Sequence, residues 1–216
     1  MKQLFHNVFT DGNRLYTKSM HPGFVVHGEK TFSSQGAEYR EWNPFKSKLG
    51  AAIACGLKEF PFKEGTKVLY LGAAQGVTPS FISDVVGKNG AVYCIEFSKR
   101  AVRDLIFACE KRENMIPILA DARRPQDYED VGKVDVLYED VADREQAQIL
   151  NENAVFLEKG GFALIAIKAR SIDTVAEPRK VFEKVKKELS TVFELVEEIY
   201  INKFEEDHDF LVLRKI

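Results

Sequence analysis

From residue 43 onward, the chain alternates between short apolar runs and segments in which apolar residues recur every three or four positions. Short runs rich in β-branched residues predict buried strands, whereas the longer spacing predicts amphipathic helices. The predicted strands cover residues 67–71, 91–96, 115–119, 134–139 and 162–167. The predicted helices cover residues 44–53, 78–86, 98–112, 145–157 and 177–190. This alternation predicts an α/β fold with a parallel sheet covered by helices.

Local signals set the expected helix starts and the faces that turn inward. Asn43 followed by Pro44 is a typical helix start, and Phe45 would lie on the apolar face of that helix. Thr78 is the predicted cap of the next helix, and Ile106 is expected to face the core from the third.

Both ends of the chain depart from the alternation. Residues 1 to about 42 contain short alternating runs separated by turn signals such as Pro22–Gly23, which predict a small antiparallel β unit. Near the carboxyl end, 193–201 and 209–213 are both strand-like, and the short loop between them favours an antiparallel hairpin. We therefore expect a Rossmann-like, mostly parallel seven-stranded sheet that ends in a hairpin, and a division into residues 1–54 and 55–216.

Composition places the chain among globular proteins. Its 216 residues are 45% hydrophobic, which is enough for a core, and its formal net charge of -2 argues against a free-standing nucleic-acid binder. No apolar run approaches the ~18–20 residues that span a bilayer, and no signal peptide is visible, so we expect a cytoplasmic protein. Cys55, Cys94 and Cys109 have apolar neighbours and no C-x-x-C spacing, which predicts buried reduced thiols.

A glycine loop joins the first predicted strand of the α/β region to its helix. Gly72 and Gly76 would let the backbone approach a ligand, and Glu96, twenty residues after Gly76, would accept hydrogen bonds from a ribose. A tight turn beside a surface glutamate would give the same pattern. Because Ala74 and Val77 stand where a dinucleotide fingerprint has glycines, S-adenosylmethionine is favoured over NAD.

Further polar residues follow other predicted strands. Asp121 follows the third strand, where it would meet an adenine amino group, and Asp140 and Lys168 follow the fourth and fifth. Because ligands bind outside the carboxyl ends of such strands, we expect these side chains to face one crevice. Lys48 and His208 are candidate additions to this set. The alternative interpretations are a structural salt bridge for Asp140 and Lys168, a surface ion pair for Lys48, and an ordinary loop histidine for His208.

Several segments together resemble fibrillarin, especially its archaeal form. The resemblance covers the chain from about residue 20, and the glycine/arginine-rich extension of eukaryotic members is missing. The segments that carry it are YREWNPFKSKLGAAI, VLYLGAAQGVT, GAVYCIEFSKR, DARRPQDY, VDVLYEDVADREQ, IAIKARSID and FEEDHDF.

The resemblance implies a methyltransferase fold and an RNA 2′-O-methyltransferase that uses S-adenosylmethionine on rRNA and tRNA. It also implies a box C/D guide RNA, a Nop-domain scaffold protein and a kink-turn-binding ribosomal-type protein that is reached through the guide. The implied catalytic residues are Lys48, Asp140, Lys168 and His208. The implied cofactor residues are Val77, Thr78, Glu96, Phe97, Asp121, Ala122, Asp140, Val141, Ala142 and Asp143. The two loop glycines, Gly72 and Gly76, complete the predicted cofactor site.

The mechanism has two versions at the level of sequence. Lys168 would either accept the proton of the ribose hydroxyl, oriented by Asp140, or stay charged and stabilise the developing alkoxide. The residues Glu139–Asp140–Val141–Ala142 stand where amino-group methyltransferases carry an Asn/Asp-Pro-Pro-aromatic motif, which favours an oxygen acceptor. A small-molecule O-methyltransferase, another nucleotide-dependent enzyme and a non-catalytic subunit remain open.

With this resemblance, the net charge of -2 argues only against tight RNA binding by the chain alone. Basic residues are grouped near predicted strand ends, so a few phosphate contacts would position RNA without giving high affinity. We therefore expect the isolated chain to bind RNA weakly. The groups are Lys46 with Lys48, Lys99 with Arg100 and Arg103, Arg123 with Arg124, and Lys168 with Arg170.

Overall fold

The computed structural model describes all residues, Met1–Ile216, and begins with a small antiparallel sheet. Its spatial order is β1-β2-β3-β5-β4, and every pairing is antiparallel. The β unit expected from the turn signals is therefore confirmed. Its strands are β1 Lys2–Phe5, β2 Val8–Thr10, β3 Leu15–Lys18, β4 Thr31–Ser34 and β5 Ala37–Trp42.

The second sheet has seven strands in the order β11-β12-β10-β9-β6-β7-β8. Strands β6 to β10 pair in parallel, and β12 lies antiparallel between β10 and β11. The predicted parallel sheet with a carboxyl-terminal hairpin is confirmed. The strands are β6 Lys67–Leu71, β7 Ala91–Glu96, β8 Met115–Leu119, β9 Val134–Glu139, β10 Leu157–Lys168, β11 Phe193–Tyr200 and β12 His208–Lys215.

Six α-helices cover this sheet, and none is long and apolar enough to cross a membrane. They are α1 Lys48–Ala54, α2 Val77–Val86, α3 Lys99–Cys109, α4 Gln146–Asn153, α5 Ala169–Ile172 and α6 Pro178–Leu189. Short 3₁₀ segments span Pro44–Lys46, Pro125–Val131 and Ala154–Phe156. The predicted helix over 145–157 thus ends early, because Leu157 already belongs to β10, which also contains Gly160 and Gly161.

The predicted single helix over 44–53 is wrong. Asn43 caps only the 3₁₀ segment, because Ser47 has an extended backbone with φ -154°. The Ser47 hydroxyl accepts a hydrogen bond from the Gly50 N–H at 3.2 Å and starts α1 anew. As a consequence Phe45 is 64% exposed instead of packed on the apolar face.

Other local expectations also need correction. Helix α2 is capped by Gly76, in the left-handed region with φ +84°, and not by Thr78. Helix α3 ends at Cys109, and Ile106 is 49% exposed, because the inward face is made by Val102, Leu105 and Ala108. All three cysteines are free; Cys94 is buried, whereas Cys55 and Cys109 are only half-buried.

The two sheets share one hydrophobic cluster. Val8, Leu15 and Trp42 of the small sheet belong to it together with α2 and the strands of the large sheet. The Trp42 ring stacks on Phe81 of α2 with ring centroids 4.9 Å apart. The small sheet therefore buries its apolar residues against the rest of the chain. The division into residues 1–54 and 55–216 stays a prediction.

A buried ion network fastens the small sheet to α2. Asp84 accepts hydrogen bonds from Arg40 at 2.6 Å and from Arg112 at 2.7 Å, and all three side chains have no exposed surface. Arg40 also pairs with Glu29 at 2.6 Å, and the Thr17 hydroxyl donates to Asp84 at 2.8 Å. One carboxylate in the interior therefore balances two guanidinium groups, and its loss would leave both partly uncompensated.

We expect Asp84→Asn to destabilise the protein by roughly 3 kcal/mol, the usual cost of breaking a buried ion pair. For a chain of this length that is a fall in Tm of about 6–12 °C, measurable by calorimetry. The control is Lys184→Ala, which removes an ion pair whose side chains are 70% and 48% exposed. The control should shift Tm by less than a third of that amount, and equal shifts would contradict the account.

Candidate functional site

The carboxyl ends of the neighbouring central strands β6 and β9 approach each other closely. The Asp140 N–H donates to the Leu71 carbonyl at 3.0 Å, and Gly72 follows with φ +80°. A Cβ at Gly72 would lie 2.9 Å from the Asp140 carbonyl oxygen and 3.0 Å from the Val141 side chain. Glycine is therefore needed here so that the segment after β6 can pack on the segment after β9, rather than only to admit a ligand.

A cavity of about 200 Å³ opens beside this contact. It lies over the carboxyl ends of β6, β7, β8 and β9, which is where ligands bind in such sheets. Its walls combine acidic side chains with small apolar ones. The lining residues are Gly72, Ala74, Ile95, Glu96, Phe97, Ala120, Asp121, Ala122, Arg123, Asp140, Val141, Ala142, Asp143 and Ile149.

Glu96 is the most firmly held acid of the cavity. One oxygen accepts a hydrogen bond from the Ala74 N–H at 2.9 Å, and the other accepts from the Ser98 N–H at 2.8 Å. Ala74 has φ +47°, a left-handed conformation that this hydrogen bond helps to hold. The carboxylate is thus fixed at the end of β7, and its remaining lone pairs suit a pair of ribose hydroxyls.

Asp121 follows the neighbouring strand β8 and shares its carboxylate with Arg123. Arg123 donates to it from Nε at 3.0 Å and from Nη2 at 2.7 Å. These hydrogen bonds lower the pKa of Asp121 below its usual value, so the group is ionised at neutral pH. Sequence reasoning grouped Arg123 with surface basic residues and missed that it lines the cavity two positions after a predicted site residue.

Three residues predicted to bind the cofactor lie outside this cavity. A Cβ at Gly76 would lie 3.0 Å from Leu105 and Ala108, so this glycine permits packing on α3. Val77 lines a different cavity, beside Phe81, and the Thr78 hydroxyl donates to Ser47 at 2.9 Å. Gly76 and Val77 thus serve packing, whereas Thr78 lies beside Ser47, the residue before Lys48.

The candidate catalytic residues come from four different elements, α1, the end of β9, β10 and β12, and meet beside the cavity. Lys48 at the start of α1 forms an ion pair with Asp140 at 2.9 Å. His208 and Lys168 face each other across the β10–β12 pairing. The His208 Nδ1 contacts the Glu206 carbonyl oxygen at 2.7 Å, and Nε2 has no hydrogen bond to the protein. Because Asp140 also lines the cavity, one residue connects the two parts of the site.

The charges in this cluster depend on one another. Burial alone would lower the pKa of Lys48, but the charge and hydrogen bond of Asp140 raise it above its usual value. Burial raises the pKa of Asp140, and the Lys48 ammonium opposes that rise. Burial also lowers the pKa of His208, and Lys48 and Lys168 lower it further. His208 is therefore a neutral imidazole at neutral pH.

Gln146 is a positioning residue that sequence reasoning missed. It is fully buried, and its amide donates to the carbonyls of Val141 at 2.7 Å and Ala166 at 3.0 Å. Its oxygen accepts the Lys168 N–H at 3.1 Å. The side chain thus ties the loop after β9 to the end of β10, which fixes Lys168 relative to Asp140.

The residues present fit an adenosyl group. Fixed carboxylates of Glu96 and Asp121 line the cavity, and apolar residues such as Ile95, Ala122 and Ile149 offer surfaces for a planar base. The chemistry of these donors and acceptors agrees with S-adenosylmethionine, the cofactor expected from the sequence. The acidic wall opposes a pyrophosphate.

Comparison with known proteins gives consistent matches over the whole chain. The sequence model of the family described as fibrillarin matches residues 1–216. A fibrillarin-like rRNA/tRNA 2′-O-methyltransferase of Methanococcus maripaludis is 52% identical over 98% of this chain and 94% of that protein.

Two solved structures are similar in fold and sequence. Aeropyrum pernix fibrillarin with natively bound S-adenosyl-L-methionine has a TM-score of 0.86 and 45% identity, covering 93% of this chain and 88% of that one. A fibrillarin from a fibrillarin/Nop5p complex has a TM-score of 0.92 and 39% identity, covering 100% of both chains.

We expect Glu96→Gln to weaken S-adenosylmethionine binding by roughly tenfold, because hydrogen bonds to a charged acceptor are about twice as strong as neutral ones. Isothermal titration calorimetry measures the affinity. The matched control is Glu158→Gln, which makes the same change in a side chain that is 73% exposed and far from the cavity lining. Unchanged affinity in Glu96→Gln would exclude this carboxylate from cofactor binding.

Proposed function

The chain belongs to the fibrillarin family, and from this premise we propose that it is an S-adenosylmethionine-dependent RNA 2′-O-methyltransferase. It acts on rRNA and tRNA at sites that a box C/D guide RNA selects by pairing. The observation that carries this proposal is the position of Asp140, which lines the cofactor cavity and pairs with Lys48 at 2.9 Å. Asp140 thereby joins the cavity for the methyl donor to the Lys48, Lys168 and His208 cluster, which is suited to deprotonating a hydroxyl.

The cofactor side of the site is assigned to two acids. Glu96 would hold the ribose hydroxyls of the cofactor, and Asp121, beside Arg123, would hold its adenine amino group. When bound, the cofactor supplies an electrophilic methyl group. Much of the rate comes from holding that group in line with the attacking oxygen.

The acceptor side is assigned to the four-residue cluster. The Lys48–Asp140 pair steers the target ribose, and the Lys168 ammonium stabilises the charge that develops on the 2′-oxygen. Neutral His208 offers its free Nε2 to the hydroxyl proton, since its Nδ1 is engaged by the Glu206 carbonyl. Of the two versions left open by the sequence, we assign Lys168 to stabilising the developing charge, because Nε2 of His208 is free to accept the proton.

RNA binding is shared with partners. The net charge of -2 gives the isolated chain little affinity for a polyanion. The similarity to a fibrillarin found in complex with Nop5p supports a Nop-domain scaffold as the protein partner. The guide RNA and, through it, a kink-turn-binding protein complete the particle, which we place in the cytoplasm of an archaeal cell.

A small-molecule O-methyltransferase on the same fold is the alternative function. Methyl transfer to guide-matched RNA by the reconstituted particle, with no transfer when the guide is mismatched, would exclude it. Binding of NAD in place of S-adenosylmethionine would instead support a different nucleotide-dependent enzyme.

We expect Lys168→Met to reduce the single-turnover rate of RNA methylation about a hundredfold or more, the usual effect of removing a group that stabilises developing charge. Cofactor affinity should stay within twofold, because Lys168 does not line the cavity. The control is Lys180→Met, the same change at an exposed position of α6. Methylation at the wild-type rate by Lys168→Met would contradict the assigned role.

A further inference from the structure

Two phenylalanines, one exposed and one half-buried, form an aromatic surface that the proposed mechanism does not use. Phe45 is 64% exposed and lies in the 3₁₀ segment before α1. Its ring meets the Phe204 ring edge-on, with centroids 5.0 Å apart. We call these two side chains the Phe45–Phe204 pair. Phe204 packs against the core, so Phe45 supplies most of the exposed aromatic area of the pair.

The pair borders the catalytic cluster from two sides. Phe45 precedes Lys48 by three residues, and Phe204 lies in the loop between β11 and β12 that leads into His208. Glu205, the neighbour of Phe204, is close enough for its charge to act on Lys48, Asp140 and His208. The pair therefore lies on the two chain segments that lead into Lys48 and His208.

Positive charge flanks the pair. Lys46 is exposed next to Phe45, and the Lys203 ammonium lies 5.4 Å from the centre of the Phe204 ring. Glu206 is an exposed acid on the same loop, whereas Glu205 is half-buried near the cluster. An apolar surface with lysines at its rim suits a ligand with apolar patches between regularly spaced anions.

A paired RNA strand has that chemistry. In an A-form duplex the 2′-hydroxyls lie in a wide, shallow minor groove, so an enzyme that modifies them must face this groove. The ribose rings present C–H groups there, and the phosphates lie at the groove edges. The target hydroxyl cannot reach the cluster without bringing its neighbouring riboses against the surface that surrounds it.

We propose that the Phe45–Phe204 pair packs against the riboses beside the target nucleotide, in the minor groove of the guide–target duplex, while Lys46 and Lys203 contact the neighbouring phosphates. This inference rests on the proposed function and adds a substrate-contacting surface to it. A scaffold protein is a poorer occupant, because a protein seated on this surface would block the approach of the ribose to Lys48 and Asp140.

The kinetic test uses the reconstituted guide-RNA particle with Phe45→Ala. We expect the KM for target RNA to rise roughly tenfold, within the range that one aromatic–nucleotide contact provides. The rate at saturating RNA and the cofactor affinity should stay within twofold. Phe45→Leu keeps an apolar side chain and should recover most of the affinity. The control is Phe107→Ala, at a 47% exposed phenylalanine on α3.

Salt dependence separates the apolar contact from the charged ones. Lys46→Ala should lower the slope of log affinity against log salt by about one, the value for one lost phosphate contact. Phe45→Ala should weaken binding without changing that slope. A changed slope in Phe45→Ala, or an unchanged one in Lys46→Ala, would overturn the division of roles.

Hydroxyl-radical footprinting tests the ribose contact directly, since the radical attacks sugar C–H groups in the minor groove. The sugars beside the target should be protected in wild type and in Phe45→Leu, and exposed in Phe45→Ala. Equal protection in all three would overturn the proposal, as would failure of Phe45→Ala to assemble with the scaffold before target RNA is added. A wild-type particle that does not methylate would refute the proposed function, while the footprint would still decide whether the pair touches the duplex.

Discussion

The close approach of Gly72 to Asp140 is the constraint on which the site depends. Because a Cβ at Gly72 would lie 2.9 Å from the Asp140 carbonyl oxygen, the end of β9 can lie against the end of β6 only if that side chain is absent. This contact sets the position of Asp140, a residue that lines the cavity and whose carboxylate pairs with Lys48. The cofactor site and the catalytic cluster therefore share one backbone contact, and neither can move independently of the other.

The small sheet contributes to catalysis through position rather than through chemistry of its own. Strand β5 leads into the segment that carries Lys48, and Trp42 at its end stacks on Phe81 of α2. The buried Arg40–Asp84–Arg112 network anchors the same strand to the same helix. Lys48 is held against Asp140 in this way, although the two residues are far apart in the chain. Stability of the small sheet and geometry of the reacting groups are thus linked.

Much of the fold could be predicted from the sequence, because buried strands and amphipathic helices have distinct periods. The acids at the strand ends, Glu96, Asp121 and Asp140, could be found for the same reason. The placement of Gly76 and Thr78 could not, since a glycine that permits packing on α3 has the same sequence signal as one that admits a ligand. Ser47 is itself a local N-cap signal, which the stronger-looking Asn43–Pro44 start obscured. The bridge that Gln146 makes between two strand ends depends on hydrogen bonds between residues that no local pattern connects.

The double role of Asp140 is tested most directly by measuring cofactor affinity and single-turnover methylation on the same preparation of Asp140→Asn. We predict that both fall: the affinity several-fold, and the rate at saturating cofactor by about a hundredfold, as for loss of a group that orients the reacting atoms. Asp143→Asn is the matched control, because Asp143 lines the cavity without pairing with Lys48, and it should lower affinity alone. A loss confined to affinity or to rate in Asp140→Asn would contradict the account.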